Sequence, residues 1–286
     1  MGGLVSSLAF PVPRLPFSFY SEGLLRRDDV VWLYTCNKEK IPAVHVKPPR
    51  NPRSPAAGEG LTILYSHGNA EDVGLHLPFI DALARATGCD VLSYEYVGYS
   101  LSRFANCQPD EEGCYRSIDA AWVYLTETLG VPAHDVVVFG RSIGTGPSVD
   151  LVARDGLRSG RPAARSPRGA RGLLLQSPID SAIRCALGYG SSLTMYPLDI
   201  FVNYEKMPQV RCPTAIIHGL SDTIVPDRCG KALHKLAPNP FEACWLEGYG
   251  HNDMPYDPLF MYAISFLAKL KRDPPAYADS SRGVNV

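Results

Sequence analysis

Residues 136–144 have the sequence VVVFGRSIG, in which a short apolar run leads into a serine flanked by glycines. The run has the composition of a buried strand, and Gly-x-Ser-x-Gly directly after such a strand is typical of a nucleophile elbow that opens a helix. Gly140 and Gly144 lack the Cβ atoms that would collide in so sharp a turn. The pattern predicts that Ser142 is a nucleophile; the alternative is an incidental serine in a glycine-rich turn.

Short apolar segments bounded by glycine, proline or aspartate recur along the chain, with helical patterns between them. Those expected to be strands are Leu61–Ser66, Val91–Tyr94, Val136–Phe139, Leu173–Gln176, Ala215–His218 and Ala243–Leu246. Two earlier segments, Val30–Thr35 and Ile41–Lys47, flank polar turn residues and indicate a hairpin. This alternation predicts an α/β fold, with a mostly parallel central sheet, helices on both faces and an antiparallel hairpin at its start.

The predicted domain spans residues 30–272. The segment 1–29 is rich in proline and aromatic residues, so we expect irregular structure and a candidate membrane anchor, and 273–286 is expected to be a C-terminal tail. Residues 154–171 carry six arginines and are expected to form a surface insertion, with a basic patch for anionic lipid as the sharper alternative. Residues 177–210 are expected to form an irregular helical excursion that caps the site.

The bulk composition excludes several function classes. A formal net charge of -1 over 286 residues gives no overall field that would attract nucleic acid. The eight cysteines include no C-x-x-C pair, which favours a reducing, cytosolic compartment and no metal site. No apolar stretch reaches the ~18–20 residues of a membrane span. The N-terminus also lacks the basic region of a secretory signal.

A serine nucleophile needs a base, and the candidates after Ser142 are three histidines. His251 lies in a glycine-containing loop just after the last predicted strand, at the edge of the sheet where the base should be. His234 falls on a helical pattern, and His218 ends a strand. We therefore expect His251 to be the general base.

The acid that orients this base should come from another strand end. Asp222 follows the penultimate predicted strand in the turn His218-Gly219-Leu220-Ser221-Asp222. A strand-end carboxylate can hold the tautomer of the histidine. Asp227 is the nearest competitor, Asp199 and Asp180 are more remote, and a helix-capping role is the alternative for Asp222.

An oxyanion hole requires two N–H donors. The first is expected from Ile143, the residue after the nucleophile, because the elbow points its N–H at the reacting carbonyl. The second is expected from the loop after Leu61–Ser66, where Gly68 permits close approach. We predict Asn69 as this donor, with Ala70 as the fallback.

Together these motifs resemble the α/β-hydrolase domain-containing 17 family, which is related to the Bem46-like serine hydrolases. They are Ser-His-Gly-Asn-Ala (66–70), Tyr-Glu-Tyr-Val-Gly-Tyr-Ser (94–100), Ile-Asp-Ala-Ala-Trp (118–122), Gly-Arg-Ser-Ile-Gly-Thr-Gly-Pro (140–147), His-Gly-Leu-Ser-Asp (218–222) and Glu-Gly-Tyr-Gly-His-Asn-Asp (247–253). The resemblance covers about residues 60–270 and implies the α/β-hydrolase fold, with nucleophile, acid and base at Ser142, Asp222 and His251.

The resemblance also implies an activity, which is the removal of palmitate from cysteine thioesters of proteins at the cytoplasmic face of membranes. No cofactor or metal is expected, the substrate is an S-acylated protein or another acyl ester, and a monomer is expected. A carboxylesterase or a serine peptidase of the prolyl-oligopeptidase-like class is the alternative within enzymes. A catalytically inactive fold that serves as a membrane-associated interaction module is the alternative from another class.

The N-terminus departs from this family, whose animal members carry an N-terminal cysteine cluster, because the first cysteine here is Cys36. Met1–Ser6 instead fits the N-myristoylation pattern M-G-x-x-x-[ST], with Gly2 as the acceptor. One myristoyl chain gives only marginal binding, so a second contact is needed. The residues expected at the membrane interface are Phe10, Phe17, Phe19 and Tyr20, with Arg14, Arg26 and Arg27 near the headgroups.

Overall fold

The computed structural model describes residues 10–50, 56–105, 107–154, 169–188 and 198–273. Its centre is an eight-stranded sheet in the order β1-β2-β4-β3-β5-β6-β7-β8. The strands are β1 (Val30–Tyr34), β2 (Lys40–Val46), β3 (Thr62–Ser66), β4 (Asp90–Tyr94), β5 (Val136–Arg141), β6 (Gly172–Gln176), β7 (Thr214–Gly219) and β8 (Cys244–Leu246).

The pairing of the strands follows the predicted pattern. β1 pairs antiparallel with β2 and β2 pairs antiparallel with β4, whereas the six remaining strands run parallel. All eight predicted strands are therefore present within one or two residues of their expected bounds, and the predicted fold class is confirmed. The parallel strands bring their carboxyl ends to one edge, where ligands bind in such sheets.

Helices cover both faces of the sheet. Labelled in chain order over the described residues, the α-helices are α1 (Phe17–Glu22), α2 (Leu77–Thr87), α3 (Glu111–Val123), α4 (Thr145–Ala153), α5 (Ala182–Leu187), α6 (Asn203–Lys206), α7 (Asp227–Leu236) and α8 (Tyr256–Arg272). A π-helical turn extends α3, and short 3-10 turns precede several helices.

The alternation of side chains along each strand divides the core into two clusters, one on each face. In β5, Val136 and Val138 join the cluster that contains residues of α3, α4 and α7. Val137 and Phe139 join the opposite cluster, under α2 and α8. Because each such side chain contributes about 1.5–3 kcal/mol when it is fully buried, a shift of this strand by one residue is strongly disfavoured.

The prediction that residues 1–29 form an irregular segment separate from the domain is wrong for residues 10–29. This part contains α1 and a 3-10 turn, and Phe10, Tyr20 and Leu24 are buried in the two core clusters. Scattered aromatic residues can fill gaps in a core without helical or strand periodicity, so the sequence pattern does not reveal them. Gly2 lies outside the described residues.

Three of the residues expected at a membrane interface therefore make contacts within the protein instead. Phe10 and Tyr20 are 5% and 0% exposed. Arg27 pairs with Asp29 and Asp81 at 2.7 and 2.9 Å. Phe17 and Phe19, by contrast, are 54% and 37% exposed.

The arginines at the two ends of the arginine-rich insertion also make contacts within the folded domain. Arg154 makes ion pairs with Asp119 and Asp150 at 2.5 and 2.9 Å. Arg171 is buried and donates to the carbonyl of Leu270 at 2.7 Å. Neither arginine is therefore part of an exposed basic patch, and residues 155–168 lie outside the described part of the chain.

The described parts of the cap-like segment 177–210 are packed into the body. Phe201 is fully buried. Its ring packs so closely on Gly146 of α4 that a Cβ added to this glycine would lie 2.1 Å from a ring carbon. Asn203 donates to the carbonyl of Ile179 at 2.9 Å. Residues 189–197 are outside the described range, so a cap formed there stays a prediction. Among the helices that the structure describes, none has the length and apolar character needed to span a bilayer.

Candidate active site

The turn after β5 has the strained backbone of a nucleophile elbow. Ser142 has a φ of 53°, in the left-handed region that side chains other than glycine rarely adopt. It begins a 3-10 turn that continues into α4, and its side chain is nearly buried, with 7% exposed. The predicted strand, turn and helix are thus present, with the serine at the carboxyl edge of the sheet.

Gly144 allows this turn to pack directly on the loop after β3. A Cβ at position 144 would lie 2.3 Å from the carbonyl oxygen of Ser66 and 2.5 Å from that of His67. Backbone atoms cannot give way as a flexible side chain can. The glycine is therefore required by the close approach of two backbone segments.

We expect Gly144→Ala to destabilise the protein by about 1–3 kcal/mol through this overpacking, and to displace Ser142. Thermal unfolding and kcat for an acyl ester would measure the two effects. Gly250→Ala is the matched control in a loop of the same site, since its nearest non-neighbour atom would lie at an ordinary 3.4 Å. Equal tolerance of both substitutions would contradict the packing argument.

The loops after β7 and β8 bring an acid and a base to Ser142. His251 Nε2 lies 2.9 Å from Ser142 Oγ, and His251 Nδ1 lies 2.7 Å from Asp222 Oδ2. An ionised carboxylate only accepts hydrogen bonds, so Nδ1–H donates to Asp222 and Nε2 accepts from the serine hydroxyl. The structure thus brings together the three residues that the sequence predicted as nucleophile, base and acid.

Asp222 is held as a carboxylate. Burial alone would raise the pKa of this carboxyl, but hydrogen bonds from His218 and His251 outweigh burial and hold the pKa well below its usual value. Its other oxygen accepts the backbone N–H groups of Ile224 and Val225 at 2.9 and 2.8 Å. The acid is therefore ionised and fixed in orientation before any substrate arrives.

The competing candidates have other partners. Asp227 pairs with Lys231 at 2.5 Å, and Asp199 accepts the N–H of Ile183 at 2.9 Å. His234 Nε2 lies 2.9 Å from the carbonyl of Phe241. His218 contacts the carbonyl of Val225 and, at 3.3 Å, Asp222 itself. His218 thus holds Asp222 in place and does not take the place of His251 as the base.

The predicted oxyanion loop follows β3 and is tightly held. Ala70 has a φ of 57°, and Asn69 Oδ1 accepts the hydroxyl of Tyr99 at 2.7 Å. The N–H of Gly68 donates to Glu71 at 2.7 Å. Because Gly144 packs against the start of this loop, the loop lies beside the serine turn. The roles of the Ile143 and Asn69 N–H groups, or that of Ala70, stay predictions.

A buried contact between a histidine and a glutamate supports this loop. His67 and Glu95 are both fully buried, and His67 Nε2 lies 2.9 Å from Glu95 Oε1. Glu95 also accepts the N–H groups of Tyr96 and Val73 at 2.9 and 3.1 Å. The Glu95 carboxylate therefore connects the end of β4 to both ends of the loop, at His67 and at Val73.

Arg141, the residue before the nucleophile, links the oxyanion loop to the loop of the base. Its guanidinium makes an ion pair with Glu71 and donates to Asn252 Oδ1 at 3.0 Å. Glu71 in turn lies 2.6 Å from His76 Nε2. No spacing pattern in the sequence reveals this bridge, because it joins the last residue of β5 to two separate loops.

A cavity of about 400 Å³ opens beside His251. Polar side chains, among them Arg141 and Glu71, line about half of its wall, and apolar residues of α2, α8 and the adjoining loops line the rest, namely Leu75, Phe79, Met254 and Leu259. Concave sites that combine apolar surface with a few polar groups are typical of sites that bind small organic groups. The site thus has room for a substrate portion next to the base. A group of possible metal ligands, Asp180, Cys185 and Cys229, contains none of the triad residues.

The sheet order, with the strained serine turn after its fifth strand, defines the α/β-hydrolase class, and the chain is an α/β hydrolase by fold. Solved structures agree: an esterase from Thermogutta terrifontis superposes with a TM-score of 0.63 at 18% identity, over 86% of this chain and 95% of that one. A membrane phospholipase A superposes with a TM-score of 0.61 at 14% identity, over 90% and 92%. At such identities the similarity establishes the fold alone.

Within this class, the chain is a relative of the α/β-hydrolase domain-containing 17 proteins, as the sequence predicted. It is 36% identical to protein 17B of Homo sapiens over 193 residues, covering 68% of this chain and 61% of that protein. The similarity to the domain-containing protein aho-3 of Caenorhabditis elegans is 36% over 200 residues, covering 70% and 55%. The chain thus spans somewhat over half of the length of these curated relatives. No protein-family model matches the chain.

Proposed function

We propose that the chain is a serine hydrolase that acts through an acyl-enzyme on Ser142. The observation that carries the proposal is the continuous hydrogen-bonded series of Ser142 Oγ, His251 and Asp222, at 2.9 and 2.7 Å. All three side chains belong to one chain, so the chemistry requires no second copy. Distances of this size allow direct proton transfer between hydroxyl and imidazole.

In the first half of the reaction, His251 Nε2 takes the hydroxyl proton as Ser142 Oγ attacks the acyl carbonyl. Asp222 stabilises the imidazolium that forms, and it keeps Nδ1 protonated throughout. The tetrahedral oxyanion accepts hydrogen bonds from the N–H groups of Ile143 and Asn69, with Ala70 as the alternative donor. His251 then gives its proton to the leaving thiol or alcohol, and the acyl group remains on the serine.

In the second half, a water molecule loses a proton to His251 and attacks the acyl-enzyme. The carboxylic acid leaves as Ser142 recovers its proton. These steps use only side chains and backbone groups of this chain. They apply equally to thioesters, esters and amides, so the reaction class is set by the triad and the substrate class by other features.

For the substrate class we propose a long-chain acyl thioester on a protein cysteine, with palmitate as the acyl group. Two features support this proposal. One is the relationship to the domain-containing 17 proteins, and the other is the cavity beside His251, whose walls include Leu75, Phe79 and Met254. The aliphatic and aromatic part of these walls favours an acyl chain because its burial removes apolar surface from water.

Comparison of an S-palmitoyl peptide, a short-chain ester and an unmodified peptide as substrates tests this assignment. We expect kcat/KM to be at least about tenfold higher for the palmitoyl thioester than for the short ester, since the extra methylenes bind the cavity. Preference for the short ester would make the protein a carboxylesterase, and cleavage of the peptide bond would make it a peptidase. A folded protein that turns over none of them would be an inactive interaction module.

We also propose that the protein works at the cytoplasmic face of a membrane, with Gly2 as an N-myristoylation site. The exposed rings of Phe17 and Phe104 contact each other edge to face at 5.9 Å. Such exposed aromatic pairs can supply the second contact that a single acyl chain needs. If Gly2→Ala and Phe17→Ser both leave co-sedimentation of the myristoylated protein with phosphatidylcholine–phosphatidylserine vesicles unchanged, this location is wrong.

A further inference from the structure

Two cysteines and an aspartate that are not members of the triad lie close together. Asp180 lies in the loop after β6, Cys185 on α5 and Cys229 on α7. Their ligand atoms all lie within 4.8 Å of one another. Asp180 and Cys229 are fully buried, and Cys185 is partly buried.

The carboxylate of Asp180 is not satisfied by its neighbours. Its Oδ1 accepts the N–H of Ser181 at 2.9 Å and the thiol of Cys185 at 3.6 Å. Its Oδ2 has no hydrogen-bond partner among the residues that the structure describes, although the side chain is fully buried. A buried carboxylate oxygen without a partner is costly, and a bound ion is one way in which native proteins satisfy such an atom.

The two thiols are also crowded. Cys185 Sγ and Cys229 Sγ are 3.1 Å apart, which is closer than two sulfur atoms pack without a bond. Thiolates on a tetrahedral zinc ion, with Zn–S bonds of about 2.3 Å, lie about 3.8 Å apart. A shared metal ion would therefore relieve the crowding by a small outward rotation of the two side chains.

We propose that Asp180, Cys185 and Cys229 bind a divalent metal ion of borderline softness, with zinc as the best match. Two thiolates and a carboxylate are typical zinc ligands, and water or another donor would complete the tetrahedron. The alternative, a Cys185–Cys229 disulfide, would remove the thiol donor from Asp180 and add no positive charge. The unpartnered oxygen therefore favours the cation.

The backbone around this group is well held. The carbonyl of Asp180 accepts the N–H of Tyr204 at 3.0 Å, and Ile179 donates to Thr145 at 3.2 Å. Arg228 donates to the carbonyl of Cys185 at 3.1 Å, which joins α7 to α5. A metal ion here would strengthen the connection between α5 and the helix that follows the Asp222 loop, and it lies outside the proposed hydrolase chemistry.

The test uses the full chain, purified with reductant, stripped of metal and titrated with Co²⁺ and Zn²⁺. We expect one Co²⁺ per chain, with an intense thiolate-to-cobalt charge-transfer band that Zn²⁺ abolishes. Cys185→Ser and Cys229→Ser should each reduce the band, and Asp180→Asn should weaken Zn²⁺ binding by at least about tenfold. Cys36→Ser, which changes an exposed thiol, is the matched control and should behave as wild type.

A second measurement does not depend on variants. In the wild-type protein, Zn²⁺ should protect Cys185 from alkylation by iodoacetamide, whereas Cys36 should react equally with and without the metal. A folded wild type with no thiolate band, a band that survives both cysteine substitutions, or a Cys185–Cys229 disulfide in the freshly purified protein would each overturn the proposal. None of these readouts depends on hydrolase activity, so the site and the proposed function fail independently.

Discussion

Ser142→Ala is expected to lower kcat for the preferred acyl substrate by about 10⁵–10⁶-fold, because the acyl-enzyme cannot form without the nucleophile. The fold should be retained, since alanine fills the same space without a new contact. The residual rate should come from the oxyanion donors and binding alone. The measurements are steady-state kinetics and labelling by a fluorophosphonate, which should be lost entirely in this variant.

Ser177 offers a matched control for this experiment. It follows β6 as Ser142 follows β5, and its φ of 47° is also in the left-handed region. Its hydroxyl has no hydrogen-bond partner among the described residues. Ser177→Ala should therefore leave labelling and kcat within about twofold of wild type, as is usual for a change that removes no interaction. Persistent labelling of Ser142→Ala would show that another residue is the nucleophile.

Asp222→Asn is expected to lower kcat by about 10⁴-fold, the second largest effect. The amide cannot stabilise the imidazolium, and its NH₂ group can force His251 into the tautomer that does not accept the serine proton. Asparagine keeps an oxygen for the N–H groups of Ile224 and Val225, so thermal stability should change little. Loss of rate with a nearly constant Tm would separate the chemical role from a structural one.

The pH dependence adds a further constraint. The hydrogen bonds of Asp222 hold its pKa well below the usual value, even though burial opposes them, so the carboxylate stays ionised from pH 5 to pH 9. The Asp222 carboxylate should therefore add no titration of its own to the pH profile of wild-type kcat over that range. Asp227→Asn, which removes only an exposed pairing with Lys231, is the control. A larger loss in Asp227→Asn would mean that the acid has been assigned to the wrong residue.

Sequence periodicity and chain order account for most of the fold and for the three triad residues. Each strand of the sheet is short, apolar and bounded by turn residues, so the pattern is local and easily recognised. The triad follows because parallel strands bring their carboxyl ends to one edge, and Asp222 and His251 each follow a strand. These predictions required no knowledge of contacts between side chains.

Interactions between distant parts of the chain have no such local pattern. The bridge from Arg141 to Glu71 and Asn252 joins the end of β5 to two separate loops. Cys185 on α5 and Cys229 on α7 are 44 residues apart in the sequence. A charged or sulfur-containing residue in a loop has many potential partners, and only the folded chain selects among them. For the same reason, the sequence predicted no metal ligands, whereas the folded chain brings three candidates together.

The residues before β1 have a consequence for the active-site loops. Tyr20 donates to Asp72 at 2.7 Å, and Arg103 holds the carbonyls of Pro13 and Leu15. Asp72 directly follows the predicted oxyanion loop, so these hydrogen bonds tie residues 13–20 to that part of the chain. A chain trimmed to begin at Val30 would lose them, and the loop would then have to keep its shape with one support fewer.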